Sequence, residues 1–270
     1  MYDERFVPVS PRHSVRLAQE YVHLLERPPS RDYIVRTITR REANGLPLMA
    51  AEIVIAGRET RDRFPLAAKY PLHFRKTYYP GRLHGDPREE YERQAEASSL
   101  LGAPPPIGFT EDTFRSCLVP GIPYSRLSPF DDAGEEQNLR KARELSLAVA
   151  AGLFRLLEQG FERLTALHRG GIVHGDTQLH NFIVCPSPLE MVIIDYEGAA
   201  RKEALSDAVW RTRCAEDFAP LLRESVFLQC RLGPQPGVLA DTAWDRLDAT
   251  FEDPERFRAE IERPPGLGQS

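Results

Sequence analysis

LTALHRGGIVHGDTQLHNFIVCPSPLEMVIIDYEGAA, residues 164–200, is the stretch that decides how this chain is read. Phe182 to Val184 and Met191 to Ile194 are short apolar runs of the length strands use. Between them, Cys185 to Glu190 contains Pro186, Ser187 and Pro188, which favour a turn. The simplest reading is a β-hairpin. In a hairpin the residue before the first strand lies beside the residue after the second. Those residues are Asn181 and Asp195, so an amide oxygen and a carboxylate share one open end. Oxygen ligands of this hardness suit magnesium, which takes one or two protein ligands and completes its shell with phosphates and water. Asp176 lies five residues before Asn181, on the loop leading in, and reaches the same region without being a metal ligand.

Around that segment the chain changes character. Residues 12–26 approximate helical periodicity, with Pro28 and Pro29 closing the segment. A β-rich stretch follows: Tyr33 to Thr39, a turn at Asn44-Gly45, Met49 to Ile55, and Leu72 to Tyr79 with Lys76 in its middle. Residues 87–101 read as a helix, with Pro87 in its first turn, Glu89, Glu90 and Glu92 near its positive end and Gly102 closing it. Two short strands are expected near 107–109 and 115–119, and Pro120-Gly121 bends the chain. The Pro- and Asp-rich residues 122–134 form the passage to a helical half. One long helical stretch is expected from Glu135 to His168, with Gly152 and Gly160 as possible breaks, then helices around 203–231 and 241–261. The expected units are a helical extension (1–30), a β-rich lobe with one helix (31–121), a helical lobe (122–262) and a mobile tail (263–270). The fold class is α+β.

Composition sets outer limits. The 270 residues are 41% hydrophobic and 28% charged, which reads as globular and large enough for one sizeable core or two small lobes. A net charge of −5 and a pI near 5.9 give no broad nucleic-acid footprint. Arg36, Arg40 and Arg41 read as a solvated surface. The four cysteines, Cys117, Cys185, Cys214 and Cys230, are far apart and form no CxxC pair, so neither a zinc site nor a disulfide scaffold is expected. The first residues have no apolar stretch of signal-peptide type, and the run from Leu145 to Leu157 is too short to span a bilayer. A cytoplasmic protein without a membrane span is the expectation.

The loop His174-Gly175-Asp176-Thr177-Gln178-Leu179-His180-Asn181 resembles the catalytic loop of the protein-kinase-like superfamily, H-x-D-x-x-x-x-N, and Asp195-Tyr196-Glu197 stands where that family has D-F-G. Leu167 to Val173 also looks like the approach to that loop. A lone HxD would be weak, but the asparagine at the right interval and an aspartate after a second apolar strand support it. HGD in place of HRD is similar to aminoglycoside and choline kinases and to small atypical kinases. The resemblance implies a two-lobed fold and an ATP- and Mg²⁺-dependent phosphotransferase. Asp176 would orient an acceptor hydroxyl and take its proton; Asn181 and Asp195 would hold magnesium. The acceptor would be a small molecule or sugar, or a protein Ser/Thr. Without the arginine of HRD, control by phosphorylation of an activation loop is not expected.

Upstream the resemblance implies a lysine on the third strand and a glutamate on the next helix. Lys76 fits the first and would neutralise nucleotide phosphates. Glu96 fits the second, with Glu92 competing one turn earlier. Arg75 is an alternative to Lys76 but points to the opposite strand face. Val119 falls at the adenine-contacting hinge. Taken singly, Asp176, Asn181 and Asp195 would pass for turn residues, Lys76 for an edge charge and Glu96 for a solvated helix face. His174 is expected to brace the loop through a backbone hydrogen bond, and His180 to be a loop histidine. Glu197 is open between a structural role and help in metal binding. One departure stands out: no GxGxxG precedes Lys76, and Gly45 and Gly57 are isolated. That motivates a second reading, a pseudokinase acting as an interaction module. A third is transfer of the nucleotide in place of the phosphoryl group.

Overall fold

In the computed structural model the described residues are 20–43, 46–79, 86–131, 134–186 and 188–233, with the side chains of 39–47 excepted. The turn at Asn44-Gly45, the side chains of Arg40 and Arg41, residues 1–19, the helix expected over 241–261 and the tail lie outside them.

The first half is a sheet. Strands β1 (Tyr33–Ala43), β2 (Leu46–Ile55), β3 (Leu72–Tyr78), β4 (Pro106–Phe109) and β5 (Thr113–Cys117) lie in the order β1-β2-β3-β5-β4, every pair antiparallel. Alternation along β3 gives the sheet two different faces. Lys76 and Tyr78 point to the front, where α4 (Pro87–Leu101) packs. His73 and Arg75 point to the back, toward Asp32, Glu52 and Arg115. Two helices escaped the sequence reading, α2 (Arg58–Arg63) and α3 (Pro65–Lys69), between β2 and β3. A short α1 (Val22–Glu26) is tied to α2 by Arg61, whose guanidinium donates to Leu25 O at 3.1 Å and Ala56 O at 2.9 Å.

The α4 boundaries follow from local chemistry. Asp86 caps the helix by accepting from Arg88 N, Pro87 occupies the first turn, and Gly102 ends it in the left-handed region at φ 65°. Its buried stripe is Pro87, Glu90, Gln94 and Ala97, spaced at helical intervals.

The second half is helical. After the short β6 (Ile122–Pro123) come α5 (Glu135–Glu144) and α6 (Leu147–Arg169), then β7 (Ile172–Val173), the hairpin β8 (Phe182–Pro186) and β9 (Leu189–Ile193), β10 (Ala200–Arg201) and α7 (Asp207–Leu232). The single helix expected over 135–168 is two. It breaks at Leu145, which turns extended (ψ 144°), and Ser146 caps α6 by accepting from Val149 N. Neither glycine breaks it: Gly152 and Gly160 are both inside α6, and Gly160 lets Met191 pack closely. The core of this half joins α6, the hairpin and α7 through fully buried Leu157, Leu164, Leu167, Phe182, Met191, Phe218 and Leu221. The chain is therefore mixed α+β, sheet-rich first and helical afterwards, in the order expected. Among the described residues no helix is long and apolar enough to cross a membrane.

Candidate active site

The hairpin forms, with longer strands than read: Cys185, Pro186, Leu189 and Glu190, expected in the connection, belong to the ladder. Phe182 pairs with Ile193 and Val184 with Met191, and the ladder runs one step further, Ile194 N donating to Asn181 O at 3.0 Å. Asn181 and Asp195 are thus delivered to the same open end. Asn181 is buried, and its amide nitrogen donates to Asp176 O at 2.9 Å and Asp176 Oδ2 at 3.1 Å. That commitment fixes the amide and turns its carbonyl oxygen away from Asp176. Asp195 has φ 68° and ψ 70°, the one non-glycine with positive φ among the described residues. Such a backbone costs on the order of 1 kcal/mol and is kept where surroundings over-determine it.

The loop bearing Asp176 is suspended from α7. Asp217, buried at 1% exposure, accepts from His174 N at 2.7 Å, Gly175 N at 2.8 Å and His168 Nε2 at 2.8 Å. His174 braces the other side. Its Nε2 donates to Ile194 O at 3.0 Å, which leaves Nδ1 as the acceptor facing Asp176 N at 3.3 Å. Gly175 adopts φ 78°, and a β-carbon there would run into the Gly198 carbonyl oxygen. This contact accounts for glycine between His174 and Asp176.

Lys76 reaches the site from the sheet. Its side chain is 2% exposed and its ammonium contacts Asp195 Oδ1 at 2.7 Å, Glu90 Oε1 at 2.9 Å and Glu197 Oε2 at 3.0 Å. Burial works against its charge, but the carboxylates, Asp195 first and Glu90 next, outweigh it and hold its pKa well above the ordinary value. The helix partner is therefore Glu90, and the expectation of Glu96 is corrected. Glu90 belongs to the inward stripe of α4, whereas Glu96 lies off it and pairs at the surface with Arg201 at 2.9 Å. Glu92 pairs with Arg88 in solvent at 3.0 Å. Tyr78, one alternation beyond Lys76, donates its hydroxyl to the other oxygen of Glu90. Burial pushes the Tyr78 pKa far up, so its proton stays on.

Lys76, Glu90, Asp176, Asn181 and Asp195 line one cleft of about 360 Å³ between the halves. Ile38, Met49, Ala51 and Phe74 roof it, and Ile183 and Ile194 lie opposite. Leu118 and Val119 bound it on the strand-to-helix passage; Lys76, Asp176, Gln178, His180, Asn181 and Asp195 supply its polar part. Gly121 is needed where the passage crosses β8, since a β-carbon would meet Ile183 and the Val184 carbonyl. An apolar slot leading to an ammonium, an amide and a carboxylate suits a ligand with a flat apolar part and an anionic end that carries a hard cation. Among the described residues no three His, Cys, Asp or Glu side chains gather to hold a metal unaided. A cation here would use Asp195 and Asn181 and draw its other ligands from phosphate and water.

The sequence reading missed Glu90, Asp217 and the Lys76 contact of Glu197. Asp217 left one trace, an acid on the buried stripe of α7 that also carries Phe218, Leu221, Glu224 and Leu228.

No protein-family model matches the chain, and no curated protein does. Among the solved structures that resemble it is one described as the Cydia pomonella granulovirus kinase PK-1. It shows 14% identity and a TM-score of 0.38, covering 71% of this chain and 60% of that one. The chain thus spans less than two thirds of that kinase's length. Any functional reading stands on the cleft's own residues.

Proposed function

We propose that the chain is an ATP- and Mg²⁺-dependent phosphotransferase that moves the γ-phosphoryl group to a hydroxyl of a small molecule, a sugar or a protein Ser/Thr. The observation that supports this best is the meeting of four groups from distant parts of the sequence. Lys76 from β3, Asp176 and Asn181 from one loop, and Asp195 from the end of β9 all line a single cleft. An ordinary set of turn residues has no reason to converge on a buried lysine.

Asp195 and Asn181 would hold a magnesium ion, which when bound would neutralise charge building on the phosphoryl group that ATP would supply. The protein's own work is positioning, which is most of what phosphoryl transfer requires. Asp176 accepts the proton from the acceptor hydroxyl as the new O–P bond forms and the bond to the ADP oxygen breaks. Asn181 keeps that carboxylate in place through its amide nitrogen. Asp217 holds the loop backbone from below, and His174 locks it to the end of β9. Lys76 supplies positive charge at the phosphates, steadied by Glu90 and Tyr78. The roof and floor of the slot exclude water from the base.

The test is a screen with γ-phosphate-labelled ATP against sugars, aminoglycosides, choline-like alcohols and generic proteins, with Asp176→Asn as control. Label should pass to one acceptor class and be lost in the variant. Nucleotide binding without turnover on any acceptor would point to an interaction module. Label carried from the α-phosphate would point to nucleotide transfer.

A further inference from the structure

Lys76 has three N–H bonds, and three carboxylates receive them: Glu90 at 2.9 Å, Asp195 at 2.7 Å and Glu197 at 3.0 Å. None is left to meet a phosphate. A nucleotide can use this lysine only after one carboxylate withdraws. Resting on the nucleotide reading of the cleft, we propose that Glu197 is a stand-in for phosphate that Lys76 must release, and that it restricts the site to nucleotides bringing a divalent cation.

The three carboxylates differ in how freely they can move. Glu90 is 2% exposed, and its second oxygen is taken by the Tyr78 hydroxyl. It sits on the inward stripe of a helix capped at both ends, so it stays. Asp195 is one-third exposed and stands beside Asn181, where a cation would claim it. Glu197 is one-quarter exposed, on the single turn Tyr196–Gly198. Its backbone is held apart from its side chain: Arg93 Nη1 donates to Glu197 O at 3.2 Å, and Ala199 N donates to Tyr196 O at 3.1 Å. The carboxylate can swing away by side-chain rotation while the turn remains fixed.

Charge sets the selectivity. Three carboxylates face one ammonium before any ligand arrives; two of them, Glu90 and Asp195, line the cleft with Asp176, and Glu197 reaches the ammonium from the turn after Asp195. A bare di- or triphosphate would add negative charge while competing with Glu197 for the same N–H. A nucleotide carrying a dication offsets that repulsion and offers Asp195 a stronger partner than lysine, loosening the cluster as it binds. Glu197 therefore penalises the metal-free ligand more than the metal-bound one.

Calorimetric titration of the full chain with ADP and a non-hydrolysable ATP analogue, in EDTA and in excess MgCl₂, tests this without any turnover. Glu197→Gln should tighten binding in EDTA by about tenfold, the scale of one charge-assisted hydrogen bond removed from competition. Affinity in MgCl₂ should change much less, so the gap between the two conditions narrows. Glu197→Asp keeps the charge but shortens the reach, and should move the same way by a smaller factor. It also serves if the glutamine variant does not fold, which thermal unfolding reports. Unchanged binding in EDTA with weaker binding in MgCl₂ would overturn the proposal, since Glu197 would then be a cation ligand. If the parent protein binds neither nucleotide even in MgCl₂, the nucleotide reading itself falls and takes this proposal with it.

Discussion

The sheet half and the helical half are held together by different chemistry. Behind the sheet, Asp32, Glu52, Arg75 and Arg115 form a shielded ionic network, with His73 fully buried beside Arg115. In front of it, Lys76 and Glu90 are equally buried. The helical half is filled by leucine and phenylalanine, with Leu157, Leu164, Leu167, Phe218 and Leu221 at zero exposure. Buried ion pairs repay little of their own desolvation but are expensive to break, while apolar burial contributes directly. The difference teaches where precision and stability come from. The helical half supplies stability and hangs the loop of Asp176 from it; the sheet half supplies one accurately aimed ammonium.

The largest effect that would test this contrast is Lys76→Met. It should lower phosphoryl transfer about a thousandfold, and unfolding in urea should show a loss of about 3 kcal/mol as Glu90 is left buried beside other carboxylates. Leu164→Ala, in the helical core, should cost a similar amount, about 3 kcal/mol, through the cavity it leaves. Nucleotide affinity of the still-folded Leu164→Ala protein should stay close to that of the parent. An equal loss of affinity in both variants would break the proposed division of labour.

Acidity should divide the halves by sign. Burial, then the nearby Arg115 charge, holds the His73 pKa down to about 4 from 6.5. The stability its neutral form contributes is complete above about 6.5 and is lost as the pH falls toward 4. Glu224 on α7, bonded to Ser128 and Tyr124, is pushed by burial up to about 7 from 4.5. The stability of its protonated form is complete below about 4.5 and is lost as the pH rises through about 7. Glu224→Gln should therefore gain on the parent between pH 5 and 8, by about 3 kcal/mol at most. His73→Gln should instead lose less than the parent does between pH 6.5 and 4. Denaturant melts across this range read both. The smallest effect is Glu96→Ala, which removes only a surface pair with Arg201. It should change stability by less than about 0.5 kcal/mol and leave transfer intact.

The hairpin and its two end residues were legible because what signals them is local: two apolar runs, prolines between them and a fixed interval. Lys76 was picked out by the resemblance, and strand alternation set it apart from Arg75. Glu90 was not, because choosing among Glu90, Glu92 and Glu96 depends on which stripe of α4 faces the sheet, and docking decides that. Helices α2 and α3 were invisible for another reason. They have six and five residues, and α2 is wholly polar, Arg-Glu-Thr-Arg-Asp-Arg. No apolar stripe announces α2; its Arg61 contacts to distant carbonyls help hold it. The break at Leu145–Ser146 was misplaced onto glycines because glycine permits a helix to end but does not compel it. Asp217 acts across more than forty residues of chain, beyond any spacing rule.

The close approach of Gly175 to Gly198 also limits this protein's history. No side chain can be gained at 175 until the turn carrying 198 has moved, and that turn holds Tyr196 and Glu197 where they are. A single-step replacement of Gly175 by arginine is closed off sterically. A lineage with this geometry would have to remodel the chain after Asp195 first.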